Sequence, residues 1–570
     1  MRIVTATLLG TGFGLALSAS ATVVDPNWTE TTFSINRDTP NDTSGKQHTG
    51  LAWAPDGSDR LFVLEKTGRV RILSGALSGG TPTWSTFATM TPIYTSSECG
   101  LIGIAFDPNF AQNRYVYFFV TVSSSEQQIL RYDASTNVGT GRTVIRDQLP
   151  TSGNNHNGGG IGFAGDGKLY WSVGDNGNGT GVDNNLTSLG TKVGRANRDG
   201  TLPADNPFND GAGPNNDYIF GRGFRNPFTM QIQPSTGQIW LNVVGDGYEQ
   251  VFVVGRGSHG GYNDYENNQP APTATENYIT PKIVYTTNGS DTRNVTAVSR
   301  SGNVATFTTS AAHRFRVGGN LTISGVTDAS FNQINLYIAS IPSPTTFTAQ
   351  QVGPDATSAG GTAVTLNQGG CLTGGAFNDA TLASAVYAGN FFYGDCNSGR
   401  INRARIDGIT NAVLSVDYFA TGTSSQVDVA SGPDGAIYYT GTSTNNIYRA
   451  AFTVSNQALV VGNQNLRIDE GGDVVTSVRL ATQPAGNVQV ATARSSGDTD
   501  VSITGGATLT FSTTNWMQPQ TVRMTAATDA DGVDDLATVS VTSPSLTAVP
   551  IRVTVLDLTA SDLIFANGFQ

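Results

Sequence analysis

The sequence predicts an all-β chain: a six-bladed β-propeller with a small inserted β-domain and a C-terminal β-sandwich. Three observations carry this. Gly occurs 68 times in 570 residues while charged residues make up 13%, a composition of tight turns and short strands rather than long helices. One turn-then-strand phrase recurs six times. The chain is also too long for a single compact core, and its texture changes twice.

The recurring phrase is a turn of Gly, Asp or Asn entering an aromatic and aliphatic strand. It reads APDGSDRLFVLEK from Ala54, NRYVYFFVT from Asn113 and GDGKLYWSVGD from Gly165. It returns as STGQIWLNVVGD from Ser235, YAGNFFYGD from Tyr387 and GPDGAIYYTG from Gly432. Each copy is a turn followed by a half-buried strand. A small sheet cannot bury both of its faces alone, so repeats of this kind stack radially as blades.

The spacing has one long gap, between the fourth and fifth copies. There, residues 294–364 are rich in Thr, Ser and Val and alternate in polarity, which predicts four or five strands of an inserted β-domain spanning 290–365. The insert is similar to short β-modules repeated in bacterial surface and phage-tail proteins. His313 falls in a turn of this insert and reads as a surface histidine. After residue 452 the strands become evenly spaced through about 558, as in a β-sandwich. This part resembles a Calx-β module, in which Glu470, Asp529, Asp531, Asp534 and Asp535 could offer oxygens to Ca²⁺. The final stretch, 559–570, resembles an ending common on exported bacterial proteins.

The N-terminus has a basic residue, Arg2, then an apolar stretch, then Ala19-Ser20-Ala21. This is the pattern of a secretory signal peptide covering 1–21. A periplasmic or secreted protein without a membrane span is expected. Such a compartment permits a disulfide; of Cys99, Cys371 and Cys396, the last two are closest in sequence and are expected to pair. With 44 acidic against 32 basic residues the net charge is −12, which speaks against nucleic acid as a partner.

The segment NNHNGGGIGFAGDGKLYWSVGDNGN holds the chemistry. His156 precedes a Gly triplet that leaves it uncrowded, and the strand that follows ends at Asp175. A histidine oriented by a carboxylate is a good general base, because the acid fixes the ring tautomer and stabilises the imidazolium. On residues alone, Asp175 could equally cap a turn, Arg225 could pair with Asp217, and Gly245 could serve for its backbone freedom.

HNGG followed by DGxLY and GD resembles the signature of the soluble glucose and sorbosone dehydrogenases, which depend on pyrroloquinoline quinone. SECGLIGIAFDPNF, LGTKVGRANRDGTLPADNPF, IFGRGFRNPFTMQIQPSTGQIWLNVVGDGYEQV, TGGAFNDATLASAVYAGNFFYGDCNSGRINR and VDVASGPDGAIYYTG match that family in order. The likeness runs over 51–452 apart from the insert. It implies that His156 takes the anomeric proton of a sugar while hydride passes to the quinone, and that Asp175 orients His156. Arg225 and Asn226 would face the quinone oxygens, with Glu98, Asn155 and Thr373 also lining the cofactor. Gly245 and Asp246 would belong to the loop whose carbonyls hold Ca²⁺. An external electron acceptor would then regenerate the cofactor.

The chain departs from the family elsewhere. The lysine and two arginines that hold the cofactor's carboxylates align with Asn397, Ser425 and Val427. Arg400, Arg403 and Arg405 lie close by in sequence as possible substitutes. Tyr262 stands where a Trp is common. An aldose dehydrogenase is therefore weighed against a non-catalytic propeller that binds carbohydrate or protein, and against a Ca²⁺-dependent hydrolase or lactonase.

Overall fold

The computed structural model describes residues 22–557 apart from 35–46, 78–80, 179–181, 263–276, 288, 381, 383–385, 409, 424–425 and 442–445. The expected signal peptide, the tail and Ser425 lie outside the described residues.

Six antiparallel sheets form the main body. Sheet 1 runs His48–Trp53, Arg60–Glu65, Arg69–Ser74 and Thr83–Thr89; sheet 2 runs Leu101–Phe106, Tyr115–Thr121, Glu126–Asp133 and Thr140–Pro150. Sheet 3 holds Ile161–Phe163, Leu169–Val173, Lys192–Ala196 and Ile219–Arg222; sheet 4 holds Asn226–Ile232, Ile239–Val244, Tyr248–Val254 and Ile283–Thr286. Sheet 5 comprises Leu372–Phe377, Phe391–Asp395, Arg400–Ile406 and Val413–Thr421, with Thr22–Val23 added at its edge; sheet 6 comprises Gln426–Ser431, Ile437–Gly441 and Asn446–Phe452. The fourth strand of sheet 6 is Trp28–Ser34 from the other end of the body, paired in register from Trp28 opposite Phe452 to Ser34 opposite Asn446. The two ends of the ring are thus tied by hydrogen bonds.

The six phrases seen in the sequence are the second strands of these six sheets. Their aromatics alternate between two neighbours, because successive side chains point to opposite faces and both faces are buried. Phe118 packs with Phe62 and Leu64 of sheet 1, while Tyr117 and Phe119 pack with Leu169 and Trp171 of sheet 3. Tyr170 faces Leu241, and Trp240 faces Phe391 and Tyr393. Phe392 meets Ile437 and Tyr439, and Tyr438 closes the circle against Leu61 and Val63. Full burial of one such side chain contributes about 1.5–3 kcal/mol, so six inter-sheet cores hold the ring.

The first strand of each sheet meets the first strands on either side, sixth against first included. Here glycine is needed for close approach: a Cβ on Gly103 would lie 2.4 Å from the carbonyl oxygen of Gly159, two residues ahead of the first strand of the next sheet.

The insert forms one sheet of seven strands between Thr292 and Thr365, more than the four or five the alternation suggested. Its core is Val298, Phe307, Leu321, Leu336, Phe347 and their neighbours. His313 is half-buried and stacks on Phe315 with ring centroids 4.7 Å apart, so it is a packing residue rather than a plain surface one. Burial lowers its pKa.

The C-terminal part has two sheets enclosing one core that includes Val478, Phe511, Val522, Met524, Val539 and Ile551. It sits against turns joining the first and second strands of the ring's sheets. Arg467 donates to the Gly165 carbonyl at 3.2 Å, Arg479 to that of Asp434 at 3.1 Å, and the Asp379 carboxylate accepts from Gln464 and Asn465. A cavity of about 510 Å³ lies between the inner strands and Asn463, Asn465 and Arg467. Among the described residues, no helix is long and apolar enough to cross a membrane. Cys371 and Cys396 are disulfide-bonded, as expected, and Cys99 is a buried free thiol.

Candidate functional site

The loops that lead into the first strands gather at the end of the ring opposite the C-terminal sheets. His156 lies on such a loop, five residues before Ile161. Its backbone takes a φ of 57°, a left-handed conformation that costs a non-glycine residue about 1–3 kcal/mol and needs local support. The support comes from Glu98, whose Oε2 accepts the His156 backbone N–H at 2.8 Å. The same oxygen accepts from Asn226 Nδ2 at 3.1 Å, and Asn226 Oδ1 accepts from the Gly158 N–H.

His156 Nδ1 lies 2.6 Å from Asp175 Oδ1. Asp175 Oδ1 also accepts the Gly177 N–H at 2.8 Å, and Oδ2 accepts the Tyr262 hydroxyl at 3.0 Å. The acid therefore caps a turn and orients the imidazole at once. Burial pushes its pKa up, but the hydrogen bonds from His156, Gly177 and Tyr262 outweigh burial and hold it below the usual carboxylate value. With Nδ1–H directed at an ionised Asp175, Nε2 is left as the proton acceptor. Glycine at 174 lets the segments meet: a Cβ there would be 2.3 Å from the His156 carbonyl oxygen and 2.9 Å from that of Arg225.

Arg225 donates from Nη1 to the carbonyls of Gly245 at 2.9 Å and Val244 at 3.3 Å. Its Nη2 is 4.0 Å from Asp246 Oδ1, so its acidic neighbour is Asp246 rather than Asp217. His156, Asp175, Glu98, Arg225, Asn226, Gly245 and Asp246 thus form one connected group. Asn155 is exposed beside it, its side-chain oxygen accepting from Ser97. Thr373 stands apart between sheets 4 and 5. Its carbonyl accepts from Asn242 and Thr229, and its buried hydroxyl has no hydrogen-bond partner among the described residues.

The positions aligned with the cationic clamp carry no charge. Asn397 is exposed and donates to the Gly370 carbonyl, and Val427 is buried. The nearby arginines are engaged elsewhere: Arg400 donates to the Asn367 carbonyl and stacks on Tyr418, while Arg403 pairs with Asp417 and stacks on Tyr387. Arg405 is exposed.

In the C-terminal sheets, carboxylate oxygens of Glu470, Asp529 and Asp557 lie within 4.8 Å of one another, as do those of Asp529, Asp531 and Asp535. Asp534 falls outside both groups and accepts the Asp557 N–H instead.

Two features were not legible beforehand. Glu98 supports the His156 backbone, and Tyr262 completes the partners of Asp175. The departure at position 262 marked the residue but gave no sign of its partner.

Ring and mouth together define a β-propeller-like protein with an acid–base pair at one end. The sequence profile of the Glucose / Sorbosone dehydrogenase family matches residues 46–337, more than half of the chain, and the chain belongs to that family. Among curated relatives, an uncharacterised protein of Synechocystis is 30% identical over 256 residues, covering 40% of this chain and 60% of the relative. The aldose sugar dehydrogenase YliI of Escherichia coli is 29% identical over 231 residues, 37% of this chain and 57% of the relative. The matches therefore span less than two thirds of those proteins. The crystal structure of the soluble aldose sugar dehydrogenase from Escherichia coli in its apo form aligns with 74% of this chain and 100% of its own, at a TM-score of 0.50 and 16% identity. That likeness shows the fold.

Proposed function

We propose that the chain is an aldose dehydrogenase that oxidises a sugar at its anomeric carbon, with His156 as the base. The observation that carries this is the His156–Asp175 pair, supported at a ring mouth by Glu98 and flanked by Arg225 and Asn226. His156 Nε2 accepts the proton of the anomeric hydroxyl. Asp175 stabilises the imidazolium so formed. Arg225 and Asn226 supply donors where negative charge develops on the acceptor.

Pyrroloquinoline quinone and Ca²⁺ are the cofactors the family suggests. The Gly245 carbonyl and the Asp246 loop are oxygen donors of the kind Ca²⁺ takes. The reactive end of a quinone suits Arg225 and Asn226, whereas its carboxylates have no cationic clamp at Asn397 and Val427. When bound, the quinone would supply a two-electron acceptor for the anomeric hydride, and an external acceptor would reoxidise it.

The missing clamp favours a second reading, a propeller of the same family that binds carbohydrate or protein without turnover. Reconstitution with Ca²⁺ and pyrroloquinoline quinone, followed by dye reduction with a panel of aldoses, separates the two. Turnover that His156→Ala abolishes supports the enzyme. No turnover together with no quinone binding by titration overturns it in favour of the binding protein.

In this reading residues 22–452 are a six-bladed propeller interrupted by the insert at 290–365. Residues 453–558 are a Calx-β-like sandwich, and 1–21 direct export to the periplasm or exterior. The disulfide suits an oxidising compartment.

A further inference from the structure

We infer that Tyr262 is a positioning residue for the proton acceptor, setting the basicity of His156 through Asp175. This rests on the dehydrogenase reading for its catalytic meaning but not for its geometry.

Asp175 divides its hydrogen bonds unevenly. Oδ1 serves both His156 Nδ1 and the Gly177 N–H, while the Tyr262 hydroxyl is what Oδ2 accepts. A donor on Oδ2 draws electron density from the carboxylate and lowers its pull on the imidazolium proton. It also stops the carboxylate from turning away from the ring.

The tyrosine is placed, not merely nearby. Its N–H donates to the Gly223 carbonyl at 3.1 Å, and the Gly260 N–H donates to that of Arg222 at 2.8 Å. The Gly261 N–H donates to Nδ1 of the fully buried His259 at 2.9 Å. Gly223 allows this docking, since a Cβ there would sit 2.5 Å from His259 Nδ1. The segment 259–262 is therefore pinned along the strand end that leads to Arg225. Burial first, and then the charge of Asp175, push the Tyr262 phenol up to about 12, so it stays a donor at any working pH. Among the described residues, the charged groups at this mouth include Glu98 on the loop before sheet 2, Lys66 beside it with Nζ on the Ser97 carbonyl, Arg225 before sheet 4, and Asp246 beyond Arg225. Tyr262→Phe removes none of them.

The test is the imidazole titration of His156 by NMR in the full chain, which has only four histidines; His156→Ala assigns the signal. Tyr262→Phe should raise the His156 midpoint by about half a unit to one unit, because the freed carboxylate holds the imidazolium more strongly. In an Asp175→Asn background the same substitution should shift nothing. If turnover is found, the acidic limb of its pH profile should move up by the same amount with little change in KM. An unmoved His156 midpoint in a folded Tyr262→Phe protein overturns the proposal. A wild type inactive with every aldose would overturn the dehydrogenase reading alone, because the titration needs no reaction.

Discussion

Asp175 Oδ1 lies 2.6 Å from His156 Nδ1, close to the lower end of charge-assisted hydrogen bonds, although 19 residues and two strands separate the two in the chain. The pair exists because Leu169–Val173 returns antiparallel along Ile161–Phe163, which brings the end of one strand beside the loop that starts the other. Asp175→Asn keeps the shape but removes the charge. Turnover should fall by about 10²–10⁴-fold, the usual contribution of a positioned acid–base group, with the substrate KM changed far less. The stability effect has a defined sign. A carboxyl held below its ordinary value adds stability above its unfolded pKa and loses it as pH falls through the folded one. Urea midpoints of wild type and variant should therefore differ at neutral pH and converge in strong acid.

Asp428 runs the other way. It is buried on the inner strand of sheet 6, accepting the Leu51 N–H of sheet 1 at 2.7 Å and the Val429 N–H at 2.9 Å. Burial dominates and pushes it up to about 7. The folded state thus holds a proton that the unfolded chain releases near pH 4. The stability this group contributes is complete below that value and is lost as pH rises toward 7. Asp428→Asn, which resembles the protonated acid, should remove that fall. The expected difference between urea unfolding at about pH 4.5 and about pH 7.5 is of the order of 3 kcal/mol.

How much of this was visible in the sequence follows from which strands carry hydrophobic pattern. The second strand of each sheet is buried on both faces and filled with aromatics, as in Tyr117, Phe118 and Phe119, so all six announced themselves. The first strands approach too closely for bulk; LIGIAF and LTGGAF spend positions on Gly103, Gly374 and Gly375 and so lack the aromatic run that marks the second strands. Pairing between distant segments left no local trace. Trp28–Ser34 gave no sign that it completes sheet 6, and Tyr262 gave none that it reaches Asp175, 87 residues away. His156 and Asp175 were legible because a glycine run and a strand of fixed length set their separation.

The disulfide should matter through the unfolded chain. Cys371 and Cys396 close a loop of 25 residues, for which the chain-entropy estimate is about 3.5 kcal/mol. The Cys371→Ser, Cys396→Ser double variant should lose roughly that amount in urea unfolding. A thiol reagent should find nothing in the native wild type, where burial both hides the Cys99 thiol and raises its pKa. In denaturant it should find one group.

Arg198 joins the ring to the C-terminal sheets through Asp469, with Nη2 2.8 Å from Oδ1 and Nη1 bonded to Oδ2, and Asp107 3.5 Å away. Both carboxylates are almost fully buried, at 2% and 1% side-chain exposure. Arg198→Ala would strand two acids with no cation between them, and removing one partner of a buried pair costs about 3–5 kcal/mol. Asn109 still donates to Asp469 and would offset only part of this. Part of the cost falls on the ring, to which Asp107 belongs, and part on the contact between the two parts, because Asp469 belongs to a sheet with its own core. Limited proteolysis should therefore cut the variant after residue 452 under conditions that leave wild type intact, while the ring keeps its own unfolding transition. Equal resistance in the two proteins would mean that Asp379, Arg467 and Arg479 hold the contact without the ion pair.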